Sequence, residues 1–353
     1  MKENYGKAGS GVEIGMNDAI EKELKESYKK EHPSSSSEHI QLPSQIKFIE
    51  KEGKIEMLLM EEAIGKGEKN ENMQEHSAAF EGWAVILKRY LGKDIKLDIA
   101  FSLNLEELNG EFEGNGHYKR FLYRVLRFEE QYSKWFSLSE NLNTFLFSEG
   151  GFCEWLKKNG KDFTNNVPQK EKAVPSNDKI SENWVEGTLA GQESILQDLI
   201  KKENSERNEI FCQLPVGLFS HEVTAKNEVF ARGNAAVDLW TWDGDKFYAF
   251  ELKYKNKMVG IITELFFYAN YLYDLLIKKN FKLNEKRTKK RGYCNLLGNE
   301  FKEICAYMLV DEMHPLIDEK VLEILNDSKS TSDIKILYKM QKYKMVNGSV
   351  SLD

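Results

Sequence analysis

The stretch from Ala235 to Tyr254, AAVDLWTWDGDKFYAFELKY, narrows the folds open to this chain more than any other, because it joins two strand-like runs through Asp243-Gly244. Asp-Gly between aromatic and β-branched runs signals a two-residue turn that tolerates positive φ. With these two residues as the loop, Trp242 pairs with Asp245 and Asp238 falls opposite Ala249. Asp238 then shares a face with Phe247, Glu251 and Lys253. Opposite Cβ atoms on one face lie roughly 5 Å apart and diagonal ones roughly 7 to 8 Å, so the Asp238 and Glu251 carboxylates can reach one cation. A four-residue loop keeps this parity, whereas an odd loop without a bulge breaks it. The plainer alternative makes Asp238 a surface residue and Glu251 with Lys253 a salt-bridge pair on an exposed face. Trp240, Phe247 and Ala249 weigh against it, since they indicate partial burial, where an unpaired carboxylate is costly.

The rest of the chain is long enough, at 353 residues, for two ordinary domains, each with its own core. No run approaches the roughly 20 apolar residues needed to span a bilayer. MKENYGKAGSG has no apolar stretch behind its basic residues, so no secretory signal is expected. Cys153, Cys212, Cys294 and Cys305 form no CxxC pair, which suggests neither a zinc knuckle nor a disulfide framework and suits a reducing cytoplasm. The net charge of -7 disfavours non-specific coating of nucleic acid and leaves any nucleic-acid contact to local basic clusters. The abundance of Lys, Asn and Ile fits an AT-rich bacterial genome.

Along the chain, residues 1–40 read as a flexible N-terminal segment with an amphipathic helix over Asn17 to Lys30 and a Ser-rich link after Pro33. Residues 41–160 read as a mixed α+β domain of unknown role. Within it, strands are expected over Ile46 to Met60 and Lys96 to Leu103, and helices over Ala78 to Leu91, His117 to Trp135 and Leu142 to Leu156. The helix carrying Tyr118, Lys119, Arg120, Arg124 and Arg127 either faces phosphates or is an ordinary amphipathic helix. Residues 161–181, polar and containing Pro168 and Pro175, are the expected linker. Beyond them come a helix over Glu182 to Lys201, a strand over Ile210 to Phe219, the hairpin, and a helix over Gly260 to Lys278. A strand over Ile304 to Val310, a helix over Asp318 to Asn326 and a strand over Ile334 to Tyr343 follow. That order suits a mixed sheet flanked by helices. Between them, Lys282, Lys286, Arg287, Lys289, Lys290 and Arg291 crowd into one loop, which is either a phosphate contact or a solubilising surface.

Asp238 in AAVDLW, with Glu251-Leu252-Lys253 thirteen residues on across a hairpin, resembles the PD-(D/E)xK nuclease superfamily, the restriction-endonuclease-like fold. The likeness covers roughly Glu182 to Tyr343, within an expected nuclease-like domain of residues 182–353. It implies an α/β fold whose C-terminal part is a restriction-endonuclease-like mixed sheet flanked by helices, preceded by a separate mixed α+β N-terminal domain. In the preceding helix Glu186 matches the acidic residue many members carry, with Glu193 in reserve. Arg232-Gly233 resembles a feature of branches that cut single-stranded or branched DNA. The following helix is similar to the QxxxY pattern of another branch, with Tyr268 at the Tyr position and Glu264 in place of Gln.

The resemblance implies a Mg²⁺- (or Mn²⁺-) dependent deoxyribonuclease acting in restriction, repair or phage defence. Mg²⁺ prefers oxygen ligands and keeps several waters, so Asp238, Glu251 and the Leu252 carbonyl suit it. Lys253 would orient the attacking water or stabilise developing charge, and Glu186 would serve a second cation or its water. Lys255 and Lys257, with Lys286, Arg287, Lys289, Lys290 and Arg291, would hold the substrate backbone. The expected partner is DNA, with no membrane contact, and a homodimer is compatible with the sequence. From a different class stands a catalytically inactive nuclease-fold protein that serves as a nucleic-acid or protein binding module.

Overall fold

A computed structural model describes residues 14–64, 73–101, 116–171, 180–200, 209–230, 235–327, 334–346 and 349–353. It is a mixed α/β structure with several sheets flanked by helices. The first half contains α1 (Ile14–Glu31), β1 (Ile46–Lys51), β2 (Lys54–Leu59), α2 (Phe80–Leu91), β3 (Asp94–Ile99), α3 (Gly116–Tyr132), β4 (Phe136–Leu138), α4 (Glu140–Phe147), α5 (Phe152–Asn159) and β5 (Thr164–Asn165). β1 to β4 form one sheet in that order, antiparallel at β1/β2 and parallel thereafter. The β1/β2 turn sits at Glu52-Gly53, with both residues at positive φ.

The second half contains α6 (Glu182–Gly191), α7 (Glu193–Leu199), β6 (Phe211–Pro215), β7 (Leu218–Phe219), β8 (Glu228–Phe230), β9 (Ala236–Asp243), β10 (Lys246–Lys253), α8 (Gly260–Leu272), β11 (Glu303–Val310), α9 (Glu319–Asn326), β12 (Ile336–Val346) and β13 (Ser349–Leu352). Its six-stranded sheet runs β13-β12-β11-β10-β9-β6. β6/β9, β9/β10 and β12/β13 are antiparallel, while β10/β11 and β11/β12 are parallel. The period-2 pattern decides which core each residue joins. Trp240, Phe247, Ala249, Ala306 and Met308 pack on the α8 side, and Leu239, Phe250, Leu252, Tyr307 and Leu309 pack beneath α6 and α7. Both faces of the central strands are therefore buried, as strands in parallel pairing require.

The helix expected over Glu182 to Lys201 breaks at Gln192, whose φ −103° and ψ 57° leave the helical region just after Gly191. The one expected over Gly260 to Lys278 ends its regular turns at Leu272 and closes in a π-helical turn, Tyr273–Ile277. Asp274 in that turn accepts hydrogen bonds from Tyr123 Oη (2.6 Å) and Arg127 Nε (3.0 Å).

The expected division into a separate N-terminal domain, a linker at 161–181 and a nuclease domain does not coincide with a break in packing. One hydrophobic cluster extends from Ile20 to Tyr338 and includes residues of α1, α2, α3, α8, β11 and β12. Polar ties cross it: Arg124 pairs with Glu81, whose Oε2 also accepts from Thr263 Oγ1 (3.0 Å) in α8. Gln131 donates to Asn270, and Tyr132 to the Leu325 carbonyl. α2 approaches α8 so closely that a Cβ on Gly82 would meet Val259 at 2.5 Å. Of residues 161–181, Phe163 and Val167 are buried and Thr164–Asn165 pairs with β7. Their apolar side chains outweigh the Pro and Asn content from which a linker is expected.

Among the described residues no helix is long and apolar enough to cross a membrane. The four cysteines are free.

Candidate metal centre

The hairpin's turn differs from expectation by one residue. Asp243 pairs with Lys246, so the loop is Gly244-Asp245 rather than Asp243-Gly244. Gly244 takes φ +57° at the first central position, the place where the glycine-first hairpin turn needs it. Asp245 is held by Lys302, whose backbone N–H donates to its carbonyl (2.7 Å) and whose ammonium pairs with its carboxylate (3.1 Å). The pairing therefore shifts by two, and parity survives. Leu239 pairs with Phe250, and one further step in this register brings Asp238 opposite Glu251 instead of Ala249. The Leu252 N–H donates to Asp238 Oδ2 at 2.9 Å, which fixes the carboxylate at the strand junction.

Glu251 and Lys253, two residues apart on β10, point to the same face and are 3% and 4% exposed. Lys253 Nζ lies 2.6 Å from Glu251 Oε1 and 2.9 Å from Glu264 Oε2 in α8. Glu251 Oε2 is buried with no hydrogen-bond partner in the structure. Tyr268 stands one turn beyond Glu264, buried, on the same cavity.

Gln213 in β6 is opposite Asp238 by the β6/β9 register, in which Cys212 pairs with Leu239 and Leu214 with Val237. Its φ of +56° is left-handed, uncommon for a non-glycine residue. From there its side-chain amide donates to Asp238 Oδ1 (2.9 Å) and to Glu186 Oε2 (3.1 Å). Strain of this kind persists where surrounding structure over-determines it. Here Arg291 Nη1 donates to the Gln213 carbonyl at 3.0 Å. No sequence motif marked Gln213. Its place across from Asp238 on the neighbouring strand is the signal that would have found it.

Gln213, Asp238, Glu251, Lys253, Glu264 and Tyr268 line a cavity of about 470 Å³ together with Glu182, Glu228, Met73, Gln74, His117 and Arg120. The first half thus supplies part of the wall, including Arg120 from the basic aromatic helix. Five carboxylates line the cavity (Glu182, Glu228, Asp238, Glu251, Glu264) against two permanent cations, Arg120 and Lys253. Burial pushes the Asp238 carboxyl up to about 7, with Lys253 opposing and Glu186 reinforcing the shift. Burial, and then the Asp238 charge, hold Glu251 well above the usual carboxylate range. Burial works against the Lys253 ammonium, but Glu251 and Glu264 outweigh it and keep it protonated. A buried excess of negative charge of this kind is stabilised by protons or by a bound cation.

The remaining expected site residues lie elsewhere. Lys255 packs its ammonium over the Tyr254 ring (5.0 Å) and Lys257 pairs with Glu312. Lys286, Arg287 and Lys289 are exposed, Lys290 donates to the Gln169 carbonyl, and Arg291 Nε donates to the Lys170 carbonyl (3.0 Å). None of these seven lines the cavity. Leu252 offers its N–H to Asp238 while its side chain enters the opposite core. Arg232 and the Glu193 side chain fall outside the described residues.

Among the described residues, only Glu31, His32 and Asp318 form a set of three with potential ligand atoms mutually within 4.8 Å. Arg89 already pairs with Glu31 and Asp318 there, at 2.5 and 2.9 Å. Asp238, Glu251 and Glu186 do not form such a set, and Glu186 is linked to Asp238 through Gln213. No protein family, curated protein or solved structure matches this chain in the comparisons made.

Proposed function

We propose that the chain is a metal-dependent nuclease of the PD-(D/E)xK type, hydrolysing phosphodiester bonds of DNA. The observation that carries this reading is the pairing of Asp238 with Glu251 across β9/β10, with Lys253 beside them on the cavity face. Further support comes from the element order α6/α7, β6, β9, β10, α8, β11, which is the order expected of the restriction-endonuclease-like sheet.

The residues fit a hard divalent cation. The donors are carboxylate oxygens, Glu251 Oε2 is buried without a partner, and the cavity carries excess negative charge. Asp238 and Glu251 would hold the ion. When bound, it supplies charge neutralisation at the phosphate and a water of lowered pKa. Lys253, fixed between Glu251 and Glu264, keeps its proton and aims a positive charge at the cavity, where negative charge develops on phosphate oxygens. Gln213 holds Asp238 and Glu186 in one arrangement, so that the carboxylates do not have to be ordered when substrate arrives.

The second reading, a non-catalytic nucleic-acid or protein binding module, draws on one observation: Lys253 is committed to two carboxylates at 2.6 and 2.9 Å. One assay separates the two. Wild type, Asp238→Asn and Lys253→Met are incubated with duplex, single-stranded and branched DNA, and with RNA, in Mg²⁺ or Mn²⁺. The nuclease reading expects cleavage by the wild type only, abolished by chelator; equal behaviour of all three proteins favours the binding module.

A further inference from the structure

Arg120 is a buried cation in the cavity wall for which the reading above has no use. It is 6% exposed and projects from α3, in the N-terminal half. Among the described residues it makes no ion pair. Its one close polar contact is Nη2 to His117 Nδ1 at 3.0 Å, and its Nε is buried without a partner. Arg124, the neighbouring arginine, is instead fully matched by Glu81, so the contrast lies within one helix. A guanidinium has no acceptor capacity, so His117 Nδ1 must accept and the imidazole is neutral. Burial, and then Arg120 itself, bring His117 down to about 4, which agrees. Phe267 backs the guanidinium at 6.0 Å from its ring centroid.

A buried, unpaired guanidinium is costly unless an anion reaches it. Its planar fork suits two oxygens of a phosphate. Glu228 and Glu264 face Arg120 from β8 and α8, and Tyr268 faces it from α8. Those carboxylates repel an anion until a divalent cation offsets the charge of the cavity. Resting on the nuclease reading, we propose that Arg120 is the phosphate-binding residue of the site. The substrate's phosphate is then gripped between α3 and the carboxylate hairpin, only when the cation is present. The basic loop at 282–291, which does not line the cavity, plays no part in gripping that phosphate.

Binding of a fluorescein-labelled phosphorothioate pentathymidylate, followed by anisotropy in Ca²⁺ or in chelator, tests this on the full chain. Cation binding is measured in parallel by calorimetry. Arg120→Gln should weaken probe binding in Ca²⁺ by about 10- to 100-fold, the range for losing hydrogen bonds to a charged group. Cation affinity should stay within about threefold of wild type. Arg120→Lys keeps the charge without the fork and should recover part of the loss, which serves should the Gln variant fold poorly. Probe binding unchanged in Arg120→Gln, or binding by wild type that is equally tight in chelator, overturns the proposal and leaves the nuclease reading standing. A wild type that takes up no cation overturns the nuclease reading itself.

Discussion

Replacing Asp238 by Asn should stabilise the metal-free protein while removing its activity. The Asp238 carboxyl is pushed from 3.8 to about 7 in the folded state, first by burial and also by Glu186. Below about pH 4 it is protonated whether the chain is folded or not, and contributes nothing to the pH dependence. As pH rises from 4 to 7 the unfolded chain ionises while the folded chain retains the proton, so stability falls. Above about 7 the deficit is constant. Raising the carboxyl from 3.8 to about 7 corresponds to about 4 kcal/mol. The side chain is partly open to the cavity, and solvent screening brings the working figure to about 2 kcal/mol. Asn retains an oxygen for the Leu252 N–H and carries no charge. Urea denaturation in chelator at pH 8 should show Asp238→Asn more stable by about 2 kcal/mol, which corresponds to about 3 °C in Tm for 353 residues. The two proteins should converge near pH 4. Added Mg²⁺ should stabilise the wild type and leave the variant unchanged. A variant equal to or weaker than wild type at pH 8 would refute the assignment of a strained carboxylate pair.

Arg124→Leu leaves Glu81 buried with only Thr263 to satisfy it and should cost about 3 to 5 kcal/mol, lowering the midpoint of a single denaturation transition. Loss of only an early, partial transition would instead mark independently folding halves. In Gly260→Ala the new Cβ would sit 1.9 Å from the Gln74 carbonyl oxygen, so a loss of about 1 to 3 kcal/mol or more is expected in the same assay. Gln213→Gly should relieve the left-handed backbone and change stability by less than about 1 kcal/mol, yet slow cleavage about tenfold as Asp238 and Glu186 lose their link. Unaltered cleavage by that variant assigns Gln213 a packing role.

Much of the second half was legible because periodicity and turn chemistry are local. The stripe of Ile262, Leu265, Ala269 and Leu272 marks α8, and the Asp-Gly turn marks the hairpin. Alternation depends on parity alone and so puts Asp238, Glu251 and Lys253 on one face, and parity tolerates the shift of the loop to Gly244-Asp245. What local pattern could not supply was the assembly of the site from distant segments. Gln213 enters through strand pairing and a backbone angle, and Arg120 through the packing of α3. The basic loop at 282–291 stands out by its charge, yet charge density says nothing of position, and none of its residues lines the cavity. At 161–181, Phe163 and Val167 are isolated apolar residues in a polar stretch, and the ties of that stretch come from far along the chain, as Thr164–Asn165 pairs with β7 and the Lys282 N–H donates to the Phe163 carbonyl.

The central claim is that Asp238 and Glu251 together hold a divalent cation. Anomalous scattering from crystals grown with Mn²⁺ tests it most directly. The account predicts a peak in the cavity within about 2.0 to 2.2 Å of an Asp238 oxygen and of Glu251 Oε2, absent from Asp238→Asn crystals. A peak at Glu31 and Asp318 with none in the cavity, or one that survives the Asp238 substitution, would contradict it.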